Sequence, residues 1–93
     1  MMNKYNNQNK DVNGVNITVI GLGKSGQGAA QLAHFLGASV FVSEANSNQD
    51  LKEKSNYLKS IGIEVEIGNH TDKIFNGNFW IISPGIPQNS SLL

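Results

Sequence analysis

The chain has 93 residues, enough for one small domain and too few for two. Its seven basic residues, all lysine, balance seven acidic ones, so it lacks the positive stripe and arginine forks that a nucleic-acid binder carries. No apolar run approaches the ~20 residues needed to span a bilayer, and without cysteine there is neither a disulfide framework nor a thiolate site.

Residues 1–14 are rich in Asn and poor in apolar side chains, a composition that predicts a flexible arm. No apolar segment precedes the first strand, so the arm does not read as a secretory signal, and the expectation is a cytoplasmic protein. The β-branched run Ile17–Ile20 predicts a strand that Gly21 ends. From Ser25 to Leu36, Ala29, Leu32, Ala33 and Leu36 fall on one helical stripe, and Gly37 is placed to stop the helix. Val40, Phe41 and Val42 predict a second strand ending near Ser43-Glu44. Ser47 and Asp50 have the spacing of a capping box. A second helix is expected from about Asp50 to Ile61, burying Leu51, Tyr57, Leu58 and Ile61 and stopped by Gly62. Lys52, Lys54 and Lys59, with Glu53 among them, read as its solvated face.

Ile63, Val65 and Ile67 alternate with Glu64 and Glu66, the pattern of a strand with one wet face at a sheet edge. A polar loop, Asn69-His70-Thr71-Asp72, leads to a short turn around Ile74-Phe75; the loop is expected to act as turn and helix cap. Phe79–Ile82 are apolar throughout, which predicts an interior fourth strand, ended by Ser83-Pro84-Gly85-Ile86-Pro87. The resulting βαβαβ(α)β order predicts an α/β, Rossmann-like parallel sheet in order 3-2-1-4 with flanking helices. An interior fourth strand without a fifth beside it suggests a truncated domain.

Gly21-x-Gly23-x-x-Gly26 lies between a predicted strand and a predicted helix, the context that a phosphate-binding turn requires. Gly21 permits the tight turn and Gly23 a close approach of backbone to phosphate. Gly26 lets the helix lie close to the strand, with Gly28 and Ala29 extending that small surface. Unpaired N–H groups and the helix dipole favour an anion there. Ser25 can add a hydroxyl and Lys24 a mobile positive charge. Glu44, eighteen residues after Gly26, ends the second strand, where an acid can accept from ribose hydroxyls or from the N–H of a base. Ser83-Pro84-Gly85 ends the fourth strand, beside the first in the proposed order, and Gly85 can offer backbone N–H groups there. His34 reads as a surface or packed helix residue. No metal-ligand spacing, nucleophile elbow or full P-loop is present in the sequence, which therefore reads as a binding module without catalytic residues.

Val19–Gly26 together with Ile82–Pro87 resemble the N-terminal domain of the Mur ligases, most nearly those that add D-glutamate. The resemblance covers roughly residues 15–93. It implies that the turn holds the UDP moiety of UDP-N-acetylmuramoyl-L-alanine, not NAD, in peptidoglycan synthesis. It also implies that Gly21, Gly23, Lys24, Ser25 and Gly26 surround the diphosphate and that Glu44 reads uracil. Ser83, Pro84 and Gly85 form the second loop around the uridine and diphosphate. Family members often carry Asp, Thr and a basic residue at the end of strand two; here the residues are Glu44, Ala45 and Asn46, so contacts from the last two positions are not expected. The ATP-binding and C-terminal domains of such a ligase, with ATP and Mg as its cofactors, would lie outside this chain, and the 93 residues alone are expected to be inactive. A nucleotide- or NAD-sensing regulatory module, as on potassium channels, is the alternative; the half-domain of an NAD-dependent dehydrogenase gives Ser83-Pro84-Gly85 no role.

Overall fold

The computed structural model describes residues 14–83. The Asn-rich arm up to residue 13, and Pro84 and Gly85 of the second loop, lie outside the described residues. The elements run β1 (Asn16–Ile20), α1 (Lys24–Phe35), β2 (Ser39–Glu44), α2 (Gln49–Ser60), β3 (Glu64–Ile67), a 3-10 turn η1 (Asp72–Asn76) and β4 (Phe79–Ile82). All strand pairs are parallel and the order is β3-β2-β1-β4, as the alternation of strands and helices predicts.

Alternation along the strands divides the side chains between two faces. Val19, Val40, Val42 and Val65 face α1 and α2 and form the core with Ala30, Ala33, Leu51, Leu58 and Ile63. The opposite face carries Thr18, which is buried and donates its hydroxyl to the Ile74 carbonyl of η1 at 3.1 Å. The Trp80 indole N–H reaches that same carbonyl at 3.0 Å, so one oxygen fastens η1 to both β1 and β4.

The position of α1 departs from the apolar stripe read in the sequence. Its buried residues are Gly26, Ala30 and Ala33, while Leu32 is 60% exposed. The cause is at Gly26: a Cβ there would run into the carbonyl oxygen of Gly21, so helix and strand backbones meet directly. Small residues are what such an approach requires, and the bulky Leu32 is turned to the flank. Gly28 does not extend this contact; it is exposed and a Cβ on it would meet nothing.

In α2 the buried stripe is Leu51, Ser55 and Leu58, with Ile61 half-buried just beyond the helix. Tyr57, expected in the core, is off that stripe and 48% exposed; its hydroxyl accepts from Gln31 of α1 at 3.3 Å. The N-cap is Asn48, not Ser47: its side-chain oxygen accepts from Leu51 N–H at 2.8 Å, while Asp50 in the first turn pairs with Lys54 at 3.3 Å. Gly37 and Gly62 follow the two helices with φ of 102° and 101°, the left-handed stops their positions predicted.

The acidic strand β3 lies at one edge, as expected. β4 ends the sheet on the other side, as the expected order has it, and with no fifth strand beside it among the described residues Phe79 is 62% and Ile82 43% exposed. Its apolar run correctly marked a strand but carried no information on which neighbours would flank it. Among the described residues β1, η1 and α1 lie against it.

The glycines of α1 yield a paired prediction. Gly26→Ala forces the helix off the Gly21 carbonyl and should destabilise the chain by about 1–3 kcal/mol, the usual cost of overpacking. Gly28→Ala, in open space, should stabilise it by about 0.5–1 kcal/mol through helix propensity. Urea unfolding of the two variants beside the wild type measures both.

Candidate functional site

The strand register brings the site residues into one row. Ile20 is level with Ser43 of β2 and with Ile82 of β4, so the next residues, Glu44, Gly21 and Ser83, lie side by side at the carboxyl ends of three adjacent strands. Gly21 N–H donates to the Ser43 carbonyl at 2.8 Å and Ser83 N–H to the Ile20 carbonyl at 2.9 Å, which extends the ladders one residue past the strands. The β-carbon of Ser83 lies 3.6 Å from where a Cβ on Gly26 would stand. Ser83 therefore faces the glycine turn across β1, and it is buried. The sequence had placed the two loops opposite each other, and the described part of the second does stand there.

Within the turn, Gly21 adopts φ of 100°, which an L side chain rarely tolerates. Leu22 then points inward and is fully buried in the core cluster. This anchor was not singled out from the sequence, although an apolar residue between two loop glycines is its signal. With Leu22 fixed inward, Gly23, Lys24 and Ser25 are exposed. A Cβ on Gly23 would meet nothing, and its φ of −88° is ordinary, so the fold itself does not demand glycine here.

The N-terminus of α1 differs from those of its neighbours. α2 has the Asn48 cap and Asp50 in its first turn; η1 has the Thr71 cap and Asp72. α1 begins at Gly23 with no side-chain cap and no acid in its first turn. Its first internal bond is Gln27 N–H to the Gly23 carbonyl at 2.8 Å, so the amides of Lys24, Ser25 and Gly26 precede any intrahelical acceptor. Lys24 puts a positive charge at the positive end of the helix dipole, an arrangement that costs about 0.3–1 kcal/mol in the absence of an anion. Two positive features converge on a backbone open enough for close approach.

Glu44 lies beside this turn, and its carboxylate is already engaged. Oε1 accepts from Leu22 N–H at 2.7 Å and Oε2 from Asn46 N–H at 2.9 Å. Each oxygen retains acceptor capacity for a further donor. Behind it, on the opposite face of the sheet, is a polar cluster that the sequence reading did not assemble. Ser43 and Glu66 are register partners on β2 and β3, and the fully buried Ser43 hydroxyl lies 2.6 Å from Glu66 Oε2 and 2.7 Å from His70 Nδ1. Thr71 donates its N–H to Oε2 at 2.8 Å and its hydroxyl to Oε1 at 2.7 Å. The loop around His70 is thus a cap and turn, as read, but His70 also reaches back into the sheet. His34 is half-buried in the last turn of α1, its ring against the backbone at Gly62.

Burial raises the Glu66 pKa, but the hydrogen bonds from Ser43 and from Thr71 N–H and hydroxyl, with the nearby His70, outweigh it, so the carboxyl lies below its ordinary 4.5. A lowered folded-state value contributes stability above the unfolded pKa and loses it as the pH falls through the folded one. Acidification from about pH 5 downward should therefore lower the unfolding midpoint of the wild type more steeply than that of Glu66→Gln, as thermal melts from pH 6 to 3 would record. Equal slopes would remove Glu66 from the acid response.

Parallel sheet, glycine turn and open helix N-terminus define a Rossmann-like α/β domain. The chain belongs to the family described as the MurD N-terminal domain, whose model matches residues 16–92. Similar proteins agree. The chain is 34% identical over 84 residues to a protein of Chloroherpeton thalassium, which covers 90% of this chain and 18% of the relative. It is 39% identical over 83 residues to one of Pelodictyon phaeoclathratiforme, 89% of this chain and 18% of the relative. With a protein of Ligilactobacillus salivarius the identity is 42% over 81 residues, 86% of this chain and 18% of the relative. Each of the three is named UDP-N-acetylmuramoylalanine--D-glutamate ligase. The chain spans about a fifth of the length of these relatives, 18% in each case.

Proposed function

We propose that this domain holds the UDP part of UDP-N-acetylmuramoyl-L-alanine for a ligase that adds D-glutamate to it during peptidoglycan synthesis. The observation that carries the reading is the N-terminus of α1. It is uncapped, free of acids in its first turn, bears Lys24, and opens on a glycine that the fold does not require. A diphosphate supplies the missing acceptor: the amides after Gly23 and the Ser25 hydroxyl donate to it, and Lys24 neutralises it. Gly21, Gly23 and Gly26 shape that cradle. Glu44, in the same row, accepts from the base or ribose with the capacity its two internal bonds leave over. Ser83 lines the far side, and Pro84 and Gly85, outside the described residues, continue that loop.

The relatives' names support a ligase as the whole protein, and 18% of their length cannot contain all of its parts. ATP and Mg are assigned to the rest of that ligase, where the precursor carboxylate would be activated as an acyl phosphate and attacked by the amine of D-glutamate. The role of this domain is to bind and orient. No residue in it is assigned to proton transfer or bond making, and the isolated 93 residues are expected to be inactive. The cytosol, where the nucleotide precursor and ATP coexist, is the expected compartment.

Calorimetric titration with UDP-N-acetylmuramoyl-L-alanine and, separately, NAD tests the reading. The UDP compound should bind more tightly, and tighter binding of NAD overturns it. Lys24→Gln should weaken the UDP compound about tenfold, the loss of one charge-assisted contact, and should reduce the salt dependence of binding.

A further inference from the structure

We infer that His70, acting through the buried Ser43 hydroxyl, is a positioning residue that holds the Glu44 end of β2 against the glycine turn. The first step is a proton count. Ser43 Oγ carries one proton and lies 2.6 Å from Glu66 Oε2, which as a carboxylate oxygen can only accept. That proton is therefore spent on Glu66. The 2.7 Å contact between the same oxygen and His70 Nδ1 needs a donor, and the ring must supply it as Nδ1–H. The hydroxyl is thus held from both sides, with its donor and one acceptor site used.

The second step is where this hydroxyl sits. The carbonyl of Ser43 accepts from Gly21 N–H at 2.8 Å, the bond that starts the glycine turn. The next residue is Glu44, whose carboxylate accepts from Leu22 N–H at 2.7 Å and whose carbonyl accepts from Gly68 N–H at 2.8 Å. Gly68 also donates to the Asn46 carbonyl at 3.0 Å, so the loop that carries His70 embraces the end of β2 on both sides of Glu44. The His70–Ser43 bond closes this loop against the strand from the face opposite the helices. When that bond is lost, the loop from Gly68 to Thr71 keeps its bonds to Glu66 but releases Ser43. The pairing of Gly21 and Leu22 with β2 then loosens. The role concerns the order of the turn before any ligand arrives. Its consequence for affinity rests on the function proposed above.

Two substitutions separate donor chemistry from bulk. The side-chain amide of Asn places an N–H close to the position of Nδ1, whereas that of Gln places it nearer Nε2. Amide hydrogen exchange on the ligand-free chain reads the turn directly. His70→Gln should speed exchange at Gly21, Leu22 and Gly68 about tenfold, the loss of one buried hydrogen bond, and His70→Asn should stay near the wild type. Ser43→Ala, which also removes the bond to Glu66, should speed exchange at the same amides at least as much as His70→Gln, and adding a His70 substitution to it should change nothing further. Equal exchange in the Asn and Gln variants, or a full additional effect of His70 in the Ser43→Ala background, overturns the inference. If His70→Gln does not fold, the comparison of Ser43→Ala with the double variant Ser43→Ala/His70→Ala decides in the same way. Titration with UDP-N-acetylmuramoyl-L-alanine adds the second readout: about tenfold weaker binding for His70→Gln and recovery in His70→Asn. Absence of binding by the wild type would reject the proposed function, while the exchange data would still judge His70.

Discussion

The contact between Gly26 and the carbonyl of Gly21 governs most of this structure. Where two backbones touch without an intervening side chain, helix and strand are fixed at a separation that no other residue allows. α1 must then lie on the sheet through Ala30 and Ala33, and Leu32 is displaced to the flank. The same contact bends the chain sharply after β1, so that Leu22 is driven into the core and the residues after it emerge at the carboxyl end of the sheet. The turn is anchored from below by an apolar side chain and presented above as bare backbone. Van der Waals contact at a single glycine thus does the mechanical work, and hydrogen bonds trim the result.

Electrostatics gives the two sides of the cleft different characters. At the ends of β2 and β3 the polar groups are mutually satisfied: Glu44 on Leu22 and Asn46, Glu66 on Ser43 and Thr71. No buried side-chain nitrogen or oxygen among the described residues lacks a partner. At the start of α1 the opposite holds, with a row of donors and a lysine at the positive end of a dipole. A protein that caps α2 and η1 with Asn48 and Thr71 has the means to cap a helix, so the bare end of α1 is a property of that position and not of the composition. The satisfied side gives the turn a rigid wall, and the other side leaves backbone donors without a side-chain cap.

Family membership and length set the scale on which this domain is to be understood. The chain corresponds to about a fifth of its relatives, by the 18% each alignment covers, and its polar clusters are built to hold shape. Glu66, whose carboxyl is stabilised in its charged form by several donors, is a structural anchor and not a proton carrier. Gly23, Lys24 and Ser25, by contrast, are exposed at the open start of α1.

Much of this was written in the chain. The alternation of β-branched runs with glycine-stopped helices determined a parallel sheet in order β3-β2-β1-β4, because right-handed crossovers leave few other arrangements. The spacing of Gly21, Gly23 and Gly26 determined a tight turn between β1 and α1, because conformation and clearance at glycine are local properties. The tertiary structure alone decided which face of α1 is buried, since periodicity counts apolar size whereas backbone contact selects smallness. It alone made Asn48 the cap in place of Ser47, a choice of one residue that spacing could not resolve. The cluster of Ser43, Glu66 and His70 also needed three dimensions. Its members lie as far as 27 residues apart, and only the register of β2 on β3 brings a hydroxyl, a carboxylate and an imidazole to one point.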